Sequence, residues 1–567
     1  MSAESTIEVD NAPTAVIGIS FGNGNSSIAF PAQDGKIEVI ANQDGDRSIP
    51  SALAYGGDDE FHGFQAKEQL IRNPRNTVVN FRDFIGKTYA EIDPTNSHAS
   101  AHPVEKDGVV GYEVMNSSEE GAVPEFVSVD EIVRRHLRRV KDSAADFLGK
   151  PITGAVIAVP TDFSAVQREA VSKIAAEAGL NVMQIIKEPI AALLAHDAAT
   201  YGAFAEDRIA VVIDIGATRT DGAVVAVRGG MYTVLATAHN YELGGSTLDK
   251  VLVDHFAKEF EKKYSIDPRT ESARSLAKLT AEAEVTKKTL SASNNATISI
   301  ESLAGGFDFH SNINRLRYEM LARKPLDNVA SFAEELVKKA GLDVLDVDEV
   351  ILVGGSSHTP KIAARIESLF PETTNIESPS TNTKALNPAE LVARGTAVQA
   401  SLIAEFDKAD VVESCEPKVV NAPHLSKSVG VVVGDGAFVT VVPSFTAIPI
   451  RKSTTFDAPT NGGDVLVAIY EGEREIHTHK VEKSSAKDAE DDEFSDEEEL
   501  SDEEELEERE KVMKPVTKIA DVVLKGATPG NKIEVVLNFA ADLKVSILVR
   551  EIGGTLSVRG EIEGNSV

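Results

Sequence analysis

Hydrophobic and polar positions divide the chain into two regions of different periodicity. Residues 15–405 alternate short apolar runs of strand length with segments whose apolar positions recur at helical spacing, which indicates an α/β region. Residues 427–567 contain short apolar runs separated by Gly and Pro turns, a pattern typical of an antiparallel β-sandwich. The sequence therefore predicts two domains of different structural class.

One helix of the α/β region can be placed with both of its ends. A strand over 155–161 reaches Pro160, and Ser164 with Gln167 three residues later forms a capping-box pattern. Gly179 is the predicted end of the helix. The apolar positions that recur at helical spacing between these ends are Val166, Ala170, Ile174 and Ala178.

The charge distribution marks the other boundaries. The 567 residues include 57 Lys and Arg against 90 Asp and Glu, a net charge of −33. Residues 488–510 hold sixteen of the acidic residues and one arginine, so we expect a disordered acidic loop over 486–511 that interrupts the β-domain. The loop is either a solubilising insertion or a site for basic partners or for phosphorylation of Ser495 and Ser501. We further predict a flexible N-terminus over 1–14 and an interdomain linker over 406–426.

Composition also excludes several classes of protein. A single cysteine, Cys415, rules out a disulfide framework and fits a reducing compartment. The polar N-terminus does not resemble a signal peptide, and no apolar run has the length of a membrane span, so we expect a cytoplasmic protein that does not bind membranes. The negative charge repels phosphate backbones, and we expect no direct nucleic-acid binding.

A strand-and-turn pattern occurs twice in the α/β region. The segment VIGISFGNGNSSIA beginning at Val16 recurs in outline as VIDIG at Val212. This register aligns Ser20 with Asp214 and Gly22 with Gly216. Two copies of one module predict two similar lobes that face each other across a cleft.

Glycine-rich turns can bind anions because no Cβ prevents backbone N–H groups from converging on one point. Two such turns opposed across a cleft would hold a polyphosphate from both sides, although a single turn of this kind also serves ordinary hairpins. Glu188 precedes Pro189 at a predicted helix start, where its carboxylate either faces the cleft or caps the helix. The strand over 349–353 leads into Gly354 and Gly355, a turn that would let a ligand ring lie against the backbone.

Many segments resemble, in the same order, the DnaK-like (seventy-kilodalton heat-shock) chaperone family. They include AVIAVPTDFSAVQREA, IIKEPIAAL, LGGSTLDKVLVDHF, ILVGGSSHTPK and NPAELVARGTAVQA. The resemblance implies an α/β, actin-like, two-lobed ATPase domain over 15–405, a nucleotide-binding domain. It also implies an all-β sandwich of the peptide-binding type over 427–567. The helical lid that follows this domain in typical members is not expected here.

The resemblance further implies a site for ATP, with or without Mg²⁺. It places Glu284, Lys287, Lys288, Ser291, Gly355 and His358 around the adenosine, with Lys288 and His358 in the positions of two family arginines. Asp214 would hold Mg²⁺ through water. The residues it places around the phosphates are Gly22, Asn23, Gly24, Arg82, Glu188, Asp214, Gly216, Ala217, Thr218, Gly244, Gly245 and Gly354.

The departures from the family pattern concentrate at the phosphates. Ser20 replaces an Asp, Asn23 and Gly24 replace two Thr, Arg82 replaces a Lys and Arg219 replaces a Thr, whereas Asp221 matches. Hydrolysis needs a positioned water and carboxylates around the metal. With Ser20, Arg82 and Arg219 degenerate we expect no catalytic residues, and two added guanidinium groups favour holding ATP over cleaving it. The alternative is a slow but working ATPase.

The chain also lacks the family's leucine-rich linker and, as far as it extends, the helical lid, and in this it resembles the Ssz-type branch found in the fungal ribosome-associated complex. That resemblance implies a co-chaperone in a stable heterodimer with a zuotin-like J-domain protein. Together the two would stimulate a conventional heat-shock chaperone that folds nascent chains on ribosomes. The alternatives are a nucleotide-exchange factor of the large heat-shock subfamily and an ATP-hydrolysing chaperone.

Overall fold

A computed structural model describes residues 15–32, 34–42, 45–93, 100–115, 123–202, 206–415, 422–434, 436–480 and 507–563. The chain divides into two compact units, Met1–Cys415 and Glu416–Val567, so the division falls inside the predicted linker. The predicted flexible N-terminus and residues 486–506 of the predicted acidic loop lie outside the described residues. No helix in the described ranges is long and apolar enough to span a membrane.

The first unit is built on two central mixed sheets and several smaller ones. Its strands are β1 (Ala15–Phe21), β2 (Asn25–Pro31), β3 (Ile37–Val39), β4 (Ile49–Pro50), β5 (Ala52–Gly56), β6 (Asp59–His62), β7 (Thr77–Val79), β8 (Pro103–Lys106), β9 (Val109–Val114), β10 (Glu125–Ser128), β11 (Ile152–Val159), β12 (Val182–Lys187), β13 (Arg208–Ile215), β14 (Thr220–Arg228), β15 (Met231–Asn240), β16 (Asn295–Ala304), β17 (Phe307–Asn314), β18 (Glu349–Val353) and β19 (Asn375–Glu377).

Helices cover and connect these sheets. They are α1 (Gly63–Glu68), α2 (Val129–Leu148), α3 (Ala165–Glu177), α4 (Glu188–Thr200), α5 (Gly245–Tyr264), α6 (Pro268–Glu271), α7 (Ala273–Ala292), α8 (Arg315–Leu321), α9 (Arg323–Lys339), α10 (Pro360–Glu367), α11 (Leu391–Ile403) and α12 (Lys408–Ser414).

The two central sheets repeat one topology. The first has the strand order β12-β11-β1-β2-β3 and the second has β19-β18-β13-β14-β15. In each, an antiparallel hairpin, β1–β2 or β13–β14, is joined by a parallel partner, β11 or β18. We call the parts built on these sheets the first lobe and the second lobe. The duplication predicted from the sequence is thus present in the strand order.

The second unit is a sandwich of two antiparallel four-stranded sheets. Their orders are β21-β20-β23-β24 and β22-β25-β26-β27. Apolar side chains from both sheets, such as Ile469 and Val535, share one core. The strands are β20 (Ser428–Val432), β21 (Phe438–Val442), β22 (Ile450–Asp457), β23 (Gly463–Lys480), β24 (Glu507–Ala527), β25 (Lys532–Phe539), β26 (Val545–Ile552) and β27 (Ser557–Ile562).

The structure differs from three local predictions made from the sequence. The predicted capping box forms, with Ser164 Oγ accepting from the Gln167 N–H at 3.2 Å. Val166, however, is 64% exposed, because α3 buries Gln167 and Val171 instead. Residues 408–414 of the predicted linker form α12, so this part is helical. Residues 507–511 of the predicted acidic loop belong to β24, where they pair with β23.

Small residues let α4 and α11 approach each other closely behind the sheets. A Cβ built on Gly395 of α11 would lie 1.6 Å from the carbonyl oxygen of Ala191 on α4. A Cβ on Gly18 of β1 would lie 2.1 Å from the amide nitrogen of Ala397, again on α11. The positions of α4 and β1, which lead into the candidate site, therefore depend on these two glycines.

We expect Gly395→Ala to destabilise the first unit by at least about 2 kcal/mol, since overpacking outweighs the gain in helix propensity. Thermal unfolding would measure it. Ser401→Ala adds no bulk at an exposed position of the same helix and should change stability by less than about 0.5 kcal/mol. Equal stability of the two variants would show that α4 and α11 have room to separate.

Candidate functional site

The two duplicated turns meet at the centre of the first unit. The Gly22 N–H donates to the Asn25 carbonyl at 3.0 Å, and the Gly216 N–H donates to the Arg219 carbonyl at 2.9 Å, so each turn is closed by the same bond. Asn23 Nδ2 donates to Thr218 Oγ1 at 3.1 Å and joins one turn to the other. A Cβ on Gly24 would lie 2.4 Å from the Ala217 Cβ, so this approach requires glycine.

A cleft opens beside these turns. Both lobes contribute to it, as does the start of α4 and the end of β18. The predicted site residues that line it are Ser20, Gly22, Asn23, Gly24, Arg82, Glu188, Asp214, Gly216, Ala217, Thr218, Arg219, Gly354 and Gly355. Residues that are far apart in the chain, and that the sequence assigned to one site, thus lie around one cleft.

Arg82 is buried, and its guanidinium contacts three other residues. Nη1 lies 3.0 Å from Glu188 Oε1 and 3.3 Å from the Phe21 carbonyl oxygen, while Nε donates to Asp83 Oδ1 at 2.9 Å. The Arg82 backbone N–H also donates to Asn23 Oδ1 at 3.1 Å, which attaches the residue to the first turn. Arg82 is therefore a structural part of the cleft wall.

Arg219, which lies in the second turn, also pairs with carboxylates. Its Nη2 donates to Asp162 Oδ1 at 3.0 Å and to Asp221, and its Nη1 lies 3.8 Å from Asp83 Oδ2. The guanidinium stacks on Tyr241 at 4.3 Å from the ring centroid. Arg219 does not project as a free cation into the cleft.

These contacts change the expected electrostatics of the phosphate end. We expected two added guanidinium groups to attract a polyphosphate, but carboxylates already neutralise both. The cleft and its wall contain five carboxylates, and the two guanidinium groups are their only buried counter-ions among the residues described here. The five are Asp83, Asp162, Glu188, Asp214 and Asp221.

Two of these carboxyl groups are destabilised as anions. Burial raises the pKa of Glu188 well above its usual range, and the Arg82 charge opposes this only in part. Burial also raises the pKa of Asp214, and the nearby charge of Asp221 adds to the effect. Within the described part of the chain the Asp214 carboxylate accepts no hydrogen bond and forms no ion pair. Asp214 is therefore the group with most to gain from a bound cation.

Gly355 is the one predicted adenosine residue that lines this cleft; the others, Glu284, Lys287, Lys288, Ser291 and His358, lie outside its lining. Lys67 of α1 donates to Glu284 at 2.7 Å, and Lys288 Nζ lies 2.8 Å from the same carboxylate, so Glu284 joins the two lobes at this end. His358 Nε2 contacts Asn387 Oδ1 at 3.0 Å on the opposite side. Lys288 is largely exposed, as expected of a side chain that is to cover a ring.

Lys287 contacts other parts of the second lobe. Its ammonium group lies 2.8 Å from Asp249 and 3.1 Å from the Gly245 carbonyl oxygen, so it supports the start of α5. Ser291 Oγ donates to the Lys287 carbonyl within α7. The turn at Gly244 and Gly245 is in turn bonded to the second phosphate turn, since the Gly245 N–H donates to the Gly216 carbonyl at 2.9 Å.

A buried chain of hydrogen bonds supports the first turn and was not predicted from the sequence. His136 Nε2 lies 2.9 Å from Ser26 Oγ, Ser26 contacts Ser51 Oγ at 3.1 Å, and Ser51 donates to the Gly22 carbonyl at 2.7 Å. Burial lowers the pKa of His136 to about 3, so the ring is neutral. The only sequence signal was a histidine on the apolar face of α2.

One cluster within the described ranges has three potential metal ligands within reach of one another. Asp162, Asp221 and His239 each offer an atom within 4.8 Å of the others. Arg219 bonds to both aspartates, so its guanidinium already supplies the positive charge. The cluster does not fit an additional metal ion.

Comparison with known proteins adds to this geometry. A family model described as Hsp70 protein matches residues 16–520. The ribosome-associated complex subunit SSZ1 of Saccharomyces cerevisiae is 45% identical over 551 residues, which cover 96% of this chain and 99% of that protein. A heat shock protein 70 homolog of Schizosaccharomyces pombe is 46% identical over 553 residues, covering 96% and 95%. A ribosome-associated molecular chaperone of Eremothecium gossypii is 33% identical over 462 residues, covering 81% and 73%.

The raised pKa of Asp214 predicts that the nucleotide-free protein loses stability as the pH rises. A carboxyl group with a raised folded-state pKa keeps its proton where the unfolded chain has lost it, so stability falls as the pH rises from about 4 towards the raised value. Asp214→Asn should remove this loss and stabilise the protein by about 1 kcal/mol or more at pH 8, and by less at pH 5. Thermal unfolding at the two pH values would measure it.

Glu169→Gln is the control for this experiment, since Glu169 is an exposed carboxylate outside the cleft. It should have the same small effect at both pH values. A stabilisation by Asp214→Asn that did not depend on pH would contradict a raised pKa at this position.

Proposed function

The chain belongs to the Hsp70 family, as its motifs predicted, and on that basis we propose that it binds ATP without hydrolysing it efficiently and acts as a co-chaperone subunit of a ribosome-associated complex. The observation that carries this proposal is the pair of turns closed by equivalent hydrogen bonds. Beside these turns, Arg82 and Glu188 are hydrogen-bonded to each other. This arrangement favours holding a nucleotide over cleaving it.

The residues present fit ATP. The two turns line the cleft together with Asn23 and Thr218. Turns rich in glycine can bring backbone N–H groups to phosphate oxygens, because no Cβ blocks the approach. Gly354 has a φ of 85°, a conformation that favours glycine, and a Cβ at Gly355 would meet nothing within 4 Å. Open space above Gly355 leaves room for a flat ring against the backbone.

The residues also fit Mg²⁺. A carboxylate that lines the cleft and has no partner is the hard oxygen ligand that Mg²⁺ prefers, directly or through water, and Asp214 is that group. Mg²⁺ would supply positive charge to a triphosphate in a cleft whose own cations are neutralised. We therefore propose that ATP binds together with Mg²⁺ near Asp214.

The same contacts argue against efficient hydrolysis. Glu188, the carboxylate best placed to act on a water, is bonded to Arg82 at 3.0 Å, and its raised pKa favours the protonated form. Arg82 is held by Asp83, Glu188 and the Phe21 carbonyl, and these bonds take up most of the donors that it could offer to an attacking water. Ser20 contributes no carboxylate. Loss of one oriented group typically lowers a rate by about 10²- to 10³-fold.

We propose a zuotin-like J-domain protein as the stable partner of this chain. Identity of 45% with a ribosome-associated complex subunit over nearly the full length of both proteins supports this role. The complex would act in the cytoplasm, on ribosomes, and would stimulate a conventional heat-shock chaperone as nascent chains fold. A nucleotide locked in the cleft would give the first unit one fixed surface for the partner.

A single-turnover assay with Mg·ATP below the protein concentration would test the hydrolysis claim. We expect the purified chain to retain bound ATP and to release phosphate at least about 10²-fold more slowly than a conventional family member measured alongside. Ser20→Asp with Arg82→Lys restores the family residues and should raise the rate. A rate like that of the conventional member would instead establish an active ATP-hydrolysing chaperone.

Affinity purification of the tagged chain from its own cells would test the partner. We expect a J-domain protein at one-to-one stoichiometry, together with ribosomes that are lost at high salt before the J-domain protein is, because exposed charges are screened. Recovery of the chain alone, with acceleration of nucleotide release from a conventional chaperone, would favour the exchange-factor alternative.

A further inference from the structure

We propose that Arg219 is a clasp between the lobes that keeps the cleft closed and thereby sets the rate at which nucleotide leaves. This inference rests on the ATP binding proposed above and adds a device that controls release. It concerns closure of the protein and not a contact with the phosphates.

The guanidinium crosses from one lobe to the other. Arg219 lies in the turn between β13 and β14 of the second lobe. Its acceptor Asp162 follows β11 of the first lobe, at 3.0 Å from Nη2. Asp83, at 3.8 Å from Nη1, lies in the short helical turn Arg82–Phe84 that also carries the cleft residue Arg82. Two carboxylates of the first lobe thus receive one cation from the second.

A second side chain reinforces the same connection. Tyr241 follows β15 of the second lobe, and its hydroxyl group donates to Asp162 Oδ2. The Tyr241 ring lies under the Arg219 guanidinium at 4.3 Å, so both donors approach Asp162 from the same side. The Asp162 carboxylate is therefore bonded through both of its oxygens to the opposite lobe.

Burial gives these contacts their strength. The Arg219 side chain is 4% exposed, and its first-lobe partners Asp83 and Asp162 are 12% and 18% exposed. Separating the lobes would pull the guanidinium away from Asp162 and Asp83 while Asp221 stayed with it. Asp83 would keep its bond to Arg82, whereas Asp162 would be left without its cation. Breaking a buried, hydrogen-bonded charge pair acts mainly on dissociation rates.

The other contacts between the lobes at the cleft are either uncharged or more exposed to solvent than those of Arg219. The bond between Asn23 and Thr218 is neutral, and Lys67 and Glu284 are 34% and 24% exposed, so solvent screens that pair more than Arg219. Arg219 is the buried ionic connection between the lobes at the phosphate end. It is also a residue at which the chain departs from the family pattern, which has a threonine there.

Release of a preloaded fluorescent ATP analogue with Mg²⁺, chased with excess ATP in stopped flow, would test the clasp on the full chain. We expect Arg219→Thr to accelerate release by about tenfold or more, Asp162→Asn by a similar factor and Tyr241→Phe by less. The acceleration should be equal for ATP and ADP analogues, because the clasp acts on closure. Asp162→Asn and Tyr241→Phe keep the guanidinium and so test the clasp if Arg219→Thr does not fold.

Arg269→Thr is the matched control. Arg269 also joins two carboxylates, Asp254 at 2.9 Å and Asp267 at 2.8 Å, but both lie in the second lobe. It should leave release unchanged. Absence of analogue binding by the wild-type chain would overturn the ATP proposal and the clasp with it.

Two outcomes would overturn the clasp alone. One is normal analogue binding with release rates within twofold of wild type in Asp162→Asn and in any folded Arg219→Thr protein. The other is acceleration for ATP but not for ADP, which would show that Arg219 acts on the terminal phosphate.

Discussion

Pairing of two buried arginines with the carboxyl groups of Asp83, Asp162, Glu188 and Asp221 is the interaction on which the first unit depends. Arg82 and Arg219 each attach a turn of the cleft to carboxylates from several parts of the chain. Removing a buried charge from water is unfavourable unless it is paired and hydrogen-bonded, so every element that carries one of these groups must take its place for the others to be tolerated. Folding of the two lobes and assembly of the cleft are therefore one event.

That constraint also separates binding from chemistry. Guanidinium groups that neutralise the protein's own carboxylates are not available to a phosphoryl group or to a water. Charge for a bound triphosphate has to come from backbone N–H groups and a metal ion, and these hold a ligand without moving protons. Under the proposed function, the substitutions that pair these carboxylates with guanidinium groups would also remove the means of turnover.

Local features could be predicted from the sequence, and long-range partners could not. The two turns, the helix start at Glu188 and the capping box at Ser164 follow from neighbouring residues. Arg82 was recognised as a departure, but its bond to Glu188 spans 106 residues and only the fold reveals it. The expectation of free guanidinium groups failed for that reason. The exposure of Val166 shows the same limit, since tertiary packing decided which face of α3 is buried.

The β23–β24 hairpin fixes both ends of the acidic segment at one place. Lys480 and Glu507, between which the sequence has 26 residues, are direct partners in the ladder. Closure of such a segment depends only weakly on its length. Related proteins could therefore lengthen, shorten or recode this stretch of charge while the register of every strand stayed the same, which makes it a place where lineages can diverge without refolding the domain.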